Sequence, residues 1–232
     1  MDEDSRTTNC FGLNLNEEEG MKFLLTGTMA YRQMVANAVA HLLRYVPSTD
    51  IVVVVPDEET RREYDLKCGV VVRPCYLPKG EQLYTQGSWG EVVRWKLETI
   101  VDRLKISDVF YIDPDVVVFD DIRRYLPDGA WDICAQQNVD KTVCMGIVAA
   151  RPTNFAIRFL TPNGPLRSDD EYIEKRWRWN HTKDRLRMFP SDQFPVGAYP
   201  LKLNEAVCYH YNHTVGVEAK IKRMQEDGNW IV

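Results

Sequence analysis

"FYIDPDVVVFDD", residues 110–121, sets Asp113 and Asp115 one residue apart between two apolar runs. Asp and Pro are common in surface turns. A solvent turn, however, has no need of "VFYI" before it and "VVVF" after it. Val109–Ile112 therefore reads as a strand arriving at Asp113, and the elements before it follow the same logic. Glu91–Leu104 carries Val93, Leu97, Ile100, Val101 and Leu104 on one helical stripe. Ile51–Val55 is a continuous β-branched run stopped by Pro56-Asp57, the pattern of a strand buried on both faces. Met21–Leu25 is a short apolar strand ending at Thr26-Gly27-Thr28. Met34, Val35, Ala38, Val39, Leu42, Leu43 and Val46 then recur at three- and four-residue steps. Glu58–Leu66 reads as a helix and Gly69–Val72 as a strand. This alternation predicts an α/β fold, a mostly parallel sheet with helices on both faces.

The second half is less regular. Strands are expected at 131–135, 145–150 and 207–211, with helices over 153–160 and 215–226. Residues 78–90 form a Gly/Pro/Ser loop, and 161–190 are polar and rich in Arg and Trp. Residues 1–20 read as a flexible acidic arm ahead of one domain over 21–232.

Composition narrows the function classes. Among 232 residues, 44% are hydrophobic and 27% charged, with a net charge of −5. That balance argues against bulk attraction to nucleic acid or anionic membrane. Six scattered cysteines without a CxxC give no zinc pattern. No stretch reaches the roughly 20 apolar residues of a membrane span. The sequons Asn180-His181-Thr182 and Asn212-His213-Thr214 are present, but the second falls among candidate site residues where a glycan would obstruct. A cytoplasmic setting is the expectation.

In open α/β sheets, ligands bind beyond the carboxyl ends of the strands. Asp113, Thr26-Gly27-Thr28 and Pro56-Asp57 all stand at such ends. Oxygen ligands of the Asp-x-Asp type suit hard cations such as Mg²⁺ or Mn²⁺, which commonly share their coordination with substrate phosphates.

At this point three motifs resemble a known family. "DVFYIDPDVVVFDDI" (108–122) is similar to the DxD segment of glycosyltransferases with the single-domain GT-A fold, which use nucleotide-diphosphate sugars. "HYNHTVGVEAKIKRMQEDGNW" (210–230) resembles the closing segment of the glycogenin-like nucleotide-diphospho-sugar transferase group, and "SDQF" (191–194) the Asp-Gln pair between those motifs. The order holds over 21–230, and glycosyltransferases of large algal viruses are similar in compactness.

The resemblance implies a metal-dependent transferase that takes a nucleotide-diphosphate sugar, UDP being the family's commonest carrier, and glycosylates a hydroxyl of a glycan or glycoprotein. Retention is the stereochemistry it implies. Asp113 and Asp115 would bind the divalent metal with His210, or alternatively His213. Lys220 would contact the diphosphate, although a solvated helix lysine explains it as well. Thr26, Gly27 and Thr28 would meet the nucleoside, or serve as a plain strand-to-helix turn. Asp57 would bond base or ribose, or simply cap the next helix. Lys96 would reach the phosphates, or snorkel at the surface. Asp192 and Gln193 are the expected catalytic pair. "VCMGIVAA" (143–150) departs from the family's Asn-Ser-Gly: Gly146 stands, but Cys144 and Met145 replace the polar pair. In "EKRWRWNHTKDRLR" (174–187), Trp177 and Trp179 could stack on an acceptor sugar, against the plainer reading of a basic helix over the core. A sugar-nucleotide nucleotidyltransferase would want a glycine-rich basic loop where "LLTGTMAYRQ" (24–33) has one glycine. A non-catalytic binding domain would have lost the acids or the histidine, and this chain has both.

Overall fold

The computed structural model describes residues 20–77, 79–82, 84, 86–179, 184–202 and 204–232. The arm expected over 1–20 lies, apart from Gly20, outside the described residues, as do the first sequon and the side chain of Trp179.

Four strands form the parallel half of the main sheet: β1 (Lys22–Thr26), β2 (Ile51–Val55), β3 (Gly69–Val72) and β4 (Val109–Ile112). They lie in the order β3-β2-β1-β4, and β7 (Val143–Ala150), β6 (Ile133–Gln137) and β8 (Leu186–Met188) continue the sheet beyond β4. β7 runs antiparallel to both β4 and β6, while β8 is parallel to β6. The sheet is thus mostly parallel and flanked by helices, as the alternation predicts.

Side-chain alternation explains why the central strands are apolar throughout. Phe23, Leu25, Ile51, Val53, Val55, Phe110 and Ile112 pack on one face with α1 (Arg32–Leu42). Leu24, Val52, Val54, Val109 and Tyr111 pack on the other with α3 (Trp89–Leu104), α4 (Asn154–Leu160) and α5 (Asp169–Trp179). Both faces are covered, so neither parity of the strand can be polar.

Three differences from the sequence expectation have local causes. The helix expected over 58–66 is only α2 (Glu58–Arg62), because Tyr64 turns inward. Its ring is buried beneath Gly27, and its hydroxyl donates to the Thr28 carbonyl at 2.8 Å. The strands expected at 131–135 and 145–150 occupy 133–137 and 143–150. Between Ala135 and Gln136 their register jumps from Val148 to Cys144, a bulge that frees Met145, Gly146 and Ile147 from the β6 ladder. Finally, the polar tract 161–190 contains α5, whose Ser168 hydroxyl accepts the Glu171 amide at 3.0 Å as a helix N-cap does.

A second, two-stranded sheet decides the site. β5 (Val116–Val118) follows Asp115 directly and pairs antiparallel with β9 (Cys208–His210), Val116 opposite His210. The Tyr211 amide donates to the Asp115 carbonyl at 3.0 Å. The ribbon therefore carries a histidine from near the chain's end to the acids at its middle. α6 (Val217–Glu226) closes behind it.

Candidate active site

A cavity of about 1080 Å³ opens beyond the carboxyl ends of β1 and β4. Thr26, Thr28, Lys96, Asp113, Asp115, Gly146, His210 and Lys220 all line it. Asp57, Gly27, Asp192 and Gln193 do not.

Asp113 is the hub. Its carboxylate accepts the Tyr111 hydroxyl at 2.7 Å and faces the Lys96 ammonium at 2.9 Å. Tyr111 in turn lies 2.8 Å from the Thr26 hydroxyl, so a hydrogen-bonded row crosses from β1 to β4 and ends on the acid. Burial, and then the Asp113 charge, raise the Tyr111 pKa well above its ordinary value, which keeps the phenol a donor. Lys96 is buried between Asp113 and Asp169, 2.8 Å from the latter. Burial opposes its charge, but the two carboxylates outweigh that and raise its pKa. A lysine so enclosed is an internal cation rather than a snorkelling one.

Asp115 is 5% exposed. One oxygen lies 3.2 Å from His210 Nε2, and the other pairs with the Lys220 ammonium. Burial would raise its pKa, yet the charge of the Lys220 ammonium beside it helps pull it well below the usual carboxylate range. His210 Nε2 also lies 3.9 Å from Asp113 Oδ2. One ligand atom from each of Asp113, Asp115 and His210 falls within 4.8 Å of the others. Two carboxylate oxygens and an imidazole nitrogen at that separation fit a small divalent cation. The carboxylates of Asp113, Asp115 and Asp169 stand against the ammonium groups of Lys96 and Lys220, which leaves an excess of acid among these paired groups for such an ion to offset. His213 lines the same cavity but is exposed and stands outside this cluster.

Gly146 is a position where only glycine fits. A Cβ there would collide with the His210 ring, and its carbonyl accepts the Asp113 amide at 2.7 Å. The bulge in β7 thus seats both a candidate ligand and the backbone of another. Gly27 serves a different close approach, since a Cβ there would meet the Tyr64 ring. Asp57 caps α2 by accepting the Thr60 amide at 2.6 Å. Asp192 is exposed and accepts only the next amide, from Gln193, among its described hydrogen bonds. Gln193 offers its backbone carbonyl to the amides of Val207 and Cys208.

Sequence reasoning missed the acids that do reach the cavity from the second half. Asp169 and Asp170 sit in the first turn of α5. Asp170 accepts the Met145 amide at 2.7 Å, and burial, then the Asp169 charge, push its pKa up to about 7. The signal was Ser168-Asp169-Asp170-Glu171, a helix-start pattern that says nothing of a cavity by itself. Tyr31 was likewise missed. It lines the cavity with its hydroxyl donating to the Gln82 carbonyl at 3.0 Å. In α5, Trp177 packs on the core and Arg176 lies over the rings of Phe159 and Tyr172, in line with the plainer reading of that basic stretch.

No protein-family model matches the chain, and no curated protein matches it in sequence. Solved structures do match in fold. The bifunctional glycosyltransferase WbbM aligns over 91% of this chain and 50% of its own, with a TM-score of 0.60 at 13% identity. The glycosyltransferase GlyE of Streptococcus pneumoniae TIGR4 aligns over 83% of this chain and 55% of its own, with a TM-score of 0.52 at 15% identity. The chain thus spans about half the length of those two proteins. A glycosyltransferase involved in glycosylation of the major capsid of PBCV-1 aligns over 88% of this chain and 98% of its own, with a TM-score of 0.57 at 9% identity. The fold is that of these glycosyltransferases. Among the described residues, no helix is long and apolar enough to cross a membrane.

Proposed function

We propose that the chain is a divalent-cation-dependent glycosyltransferase that moves a sugar from a nucleotide-diphosphate carrier, UDP in the first instance, to a hydroxyl of a glycan or glycoprotein. The observation that carries this reading is the convergence of Asp113, Asp115 and His210 with Lys96 and Lys220 in one cavity at the strand ends.

The slow step in such a transfer is departure of the diphosphate, whose developing negative charge must be stabilised. Asp113, Asp115 and His210 would hold Mg²⁺ or Mn²⁺, which supplies Lewis-acid stabilisation of that charge. The chain's own residues do the rest. Lys220, at the start of α6, brings a cation that can pass from Asp115 to a phosphate oxygen. Lys96, clamped by two carboxylates, fixes Asp113 in place while Tyr111 and Thr26 set its orientation. Thr28 has a buried hydroxyl without a hydrogen-bond partner among the described residues and lines the cavity, which suits a ribose or base contact. Tyr31 offers a ring for stacking. Asp169 and Asp170, which line the same cavity, suit the hydroxyls of the donor sugar. Transfer with retention needs no dedicated base, because the departing phosphate can take the acceptor proton on the same face.

The test is a panel of nucleotide sugars incubated with Mn²⁺ or Mg²⁺ and followed for nucleotide release, with and without chelator. Release that depends on the cation and on one donor supports the proposal. Absence of binding or hydrolysis for every donor, with no effect of metal, would overturn it.

A further inference from the structure

Gln136 is the first residue of β6 past the bulge and is fully buried. Its amide nitrogen donates to the backbone carbonyls of Phe194 at 3.0 Å and Pro195 at 3.1 Å. Carbonyl oxygens only accept, so this pair fixes which end of the amide is nitrogen. Turning the group over would set Oε1 against two carbonyl oxygens and leave both without this donor. Oε1 must therefore face the other way, where it lies 2.9 Å from His210 Nδ1.

That contact has a consequence for the histidine. Oε1 cannot donate, so a hydrogen bond at this distance requires the proton on Nδ1. Asp115 Oδ1 competes for that proton at the other nitrogen, but from 3.2 Å against the 2.9 Å of the Gln136 contact. Cys144 Sγ is a weaker competitor at 3.5 Å, and it already accepts the Asn212 amide group at 3.7 Å. A neutral ring protonated at Nδ1 carries its lone pair on Nε2, the nitrogen 3.2 Å from Asp115. Gly146 packs directly against the ring.

We infer that Gln136 is a positioning residue: it holds the His210 proton on Nδ1 and so presents the Nε2 lone pair to the acidic pair as a cation ligand. This rests on the divalent-cation reading of the site. It also gives the "SDQF" segment a purpose that its side chains do not show, since Phe194 and the following Pro195 act through their carbonyls. Partners of this kind set tautomer and ligand strength in metal–histidine sites generally. Without Gln136, the proton is free to move to Nε2, where Asp115 accepts it, and an arriving cation must first displace it.

The experiment uses metal-free protein with ¹⁵N-labelled histidine, at a pH where the ring carries a single proton. Long-range ¹H–¹⁵N correlation then reads the tautomer, with His210 assigned by the loss of its signals in His210→Gln. The expected pattern is a protonated Nδ1 and an unprotonated Nε2. In Gln136→Met, which keeps the length but has no acceptor oxygen, the proton should shift to Nε2. Affinity for Mg²⁺ or Mn²⁺ by calorimetry should then fall about 10–100-fold. Wild-type protein that binds the cation with its proton on Nε2 overturns the role of Gln136 alone, and this measurement stands even if the variant does not fold. A folded Gln136→Met that keeps Nδ1 protonated, or loses the tautomer without losing affinity, also overturns it. Wild-type protein with Nδ1 protonated that binds neither ion overturns the cation reading itself, and with it the purpose inferred for Gln136.

Discussion

The two sides of the cavity are made of different materials. On one side, β1 and β4 end in a sheet whose residues are apolar and buried on both faces, so Thr26 and Asp113 project from a rigid edge. On the other, β9, α5 and α6 also bury apolar side chains, Cys208, Tyr209, Ile173 and Met224 among them, but the groups they present to the cavity are tied across it by charge and by directed hydrogen bonds. Lys220 pairs with Asp115, Lys96 with Asp169, Asp170 with the Met145 amide, and Gln136 with His210. The first side owes its place to the burial of apolar surface, which carries no titrating group. The second owes the arrangement of its cavity groups to partners and protonation that the substrate itself would change. A transferase must release its nucleotide after each turnover, and a side held by exchangeable partners suits that need.

Substitutions separate the two sides by what they cost. The largest effect on stability belongs to the first. Phe110 is fully buried in β4, with Phe23 stacked at 5.3 Å and Phe189 at 5.8 Å. Phe110→Ala should destabilise the chain by about 3–5 kcal/mol, read from urea unfolding. A loss below about 1 kcal/mol would mean that this side is not the rigid one. Next comes Asp115→Ala, which belongs to the junction of the two sides. It should abolish cation-dependent donor binding, a loss beyond the roughly 100-fold typical of changes around a ligand. Circular dichroism should stay that of the folded protein, and unaltered donor affinity would move the cation site elsewhere.

A smaller effect, with a sign of its own, comes from Asp170 on the second side. Its pKa is raised to about 7, by burial first and the Asp169 charge second, against about 3.9 in the unfolded chain. Between those values the folded state binds the extra proton. Its contribution to stability is therefore fully present below about pH 4 and is lost as pH rises through about 7. Asp170→Asn cannot titrate, so its Tm should gain on wild type as pH rises over that window. The gain should reach at least about 2–4 °C by pH 8. A difference between the two proteins that is constant from pH 5 to pH 8 would remove Asp170 as the titrating group.

The same division explains what could be read from the sequence. Buried strands announce themselves, because both parities of "IVVVV" and "VFYI" must be apolar, and the strand end then locates Asp113 and Asp115 without reference to anything distant. The other side offers no such signal. Asp169 and Asp170 look like ordinary acids in the first turn of a helix, and only the packing of α5 on β7 turns them toward the cavity. Gln136 gains its meaning from a register break that no periodicity records. Asp57 and Gly27 had two readings each, and local geometry gives both a plain task, one as a cap and one beneath Tyr64. His210 was legible only as part of a motif, since the pairing of β5 with β9 spans about ninety residues of chain.

The smallest expected effect bears on the motif that the sequence singled out and the cavity does not include. Asp192 is exposed, outside the cavity lining, and its described hydrogen bond goes to the adjacent amide. If its carboxylate served as base or sugar ligand, Asp192→Ala would lower turnover by orders of magnitude while leaving cation affinity alone. If the segment instead acts through the carbonyls of Gln193, Phe194 and Pro195, the side chain at 192 is dispensable. The backbone path to Gln136 is then untouched by the change. The latter is the expectation: stability within about 0.5 kcal/mol of wild type and unchanged nucleotide release. A turnover defect in a folded Asp192→Ala would return the acid to the site and require the segment to close over the cavity when donor binds.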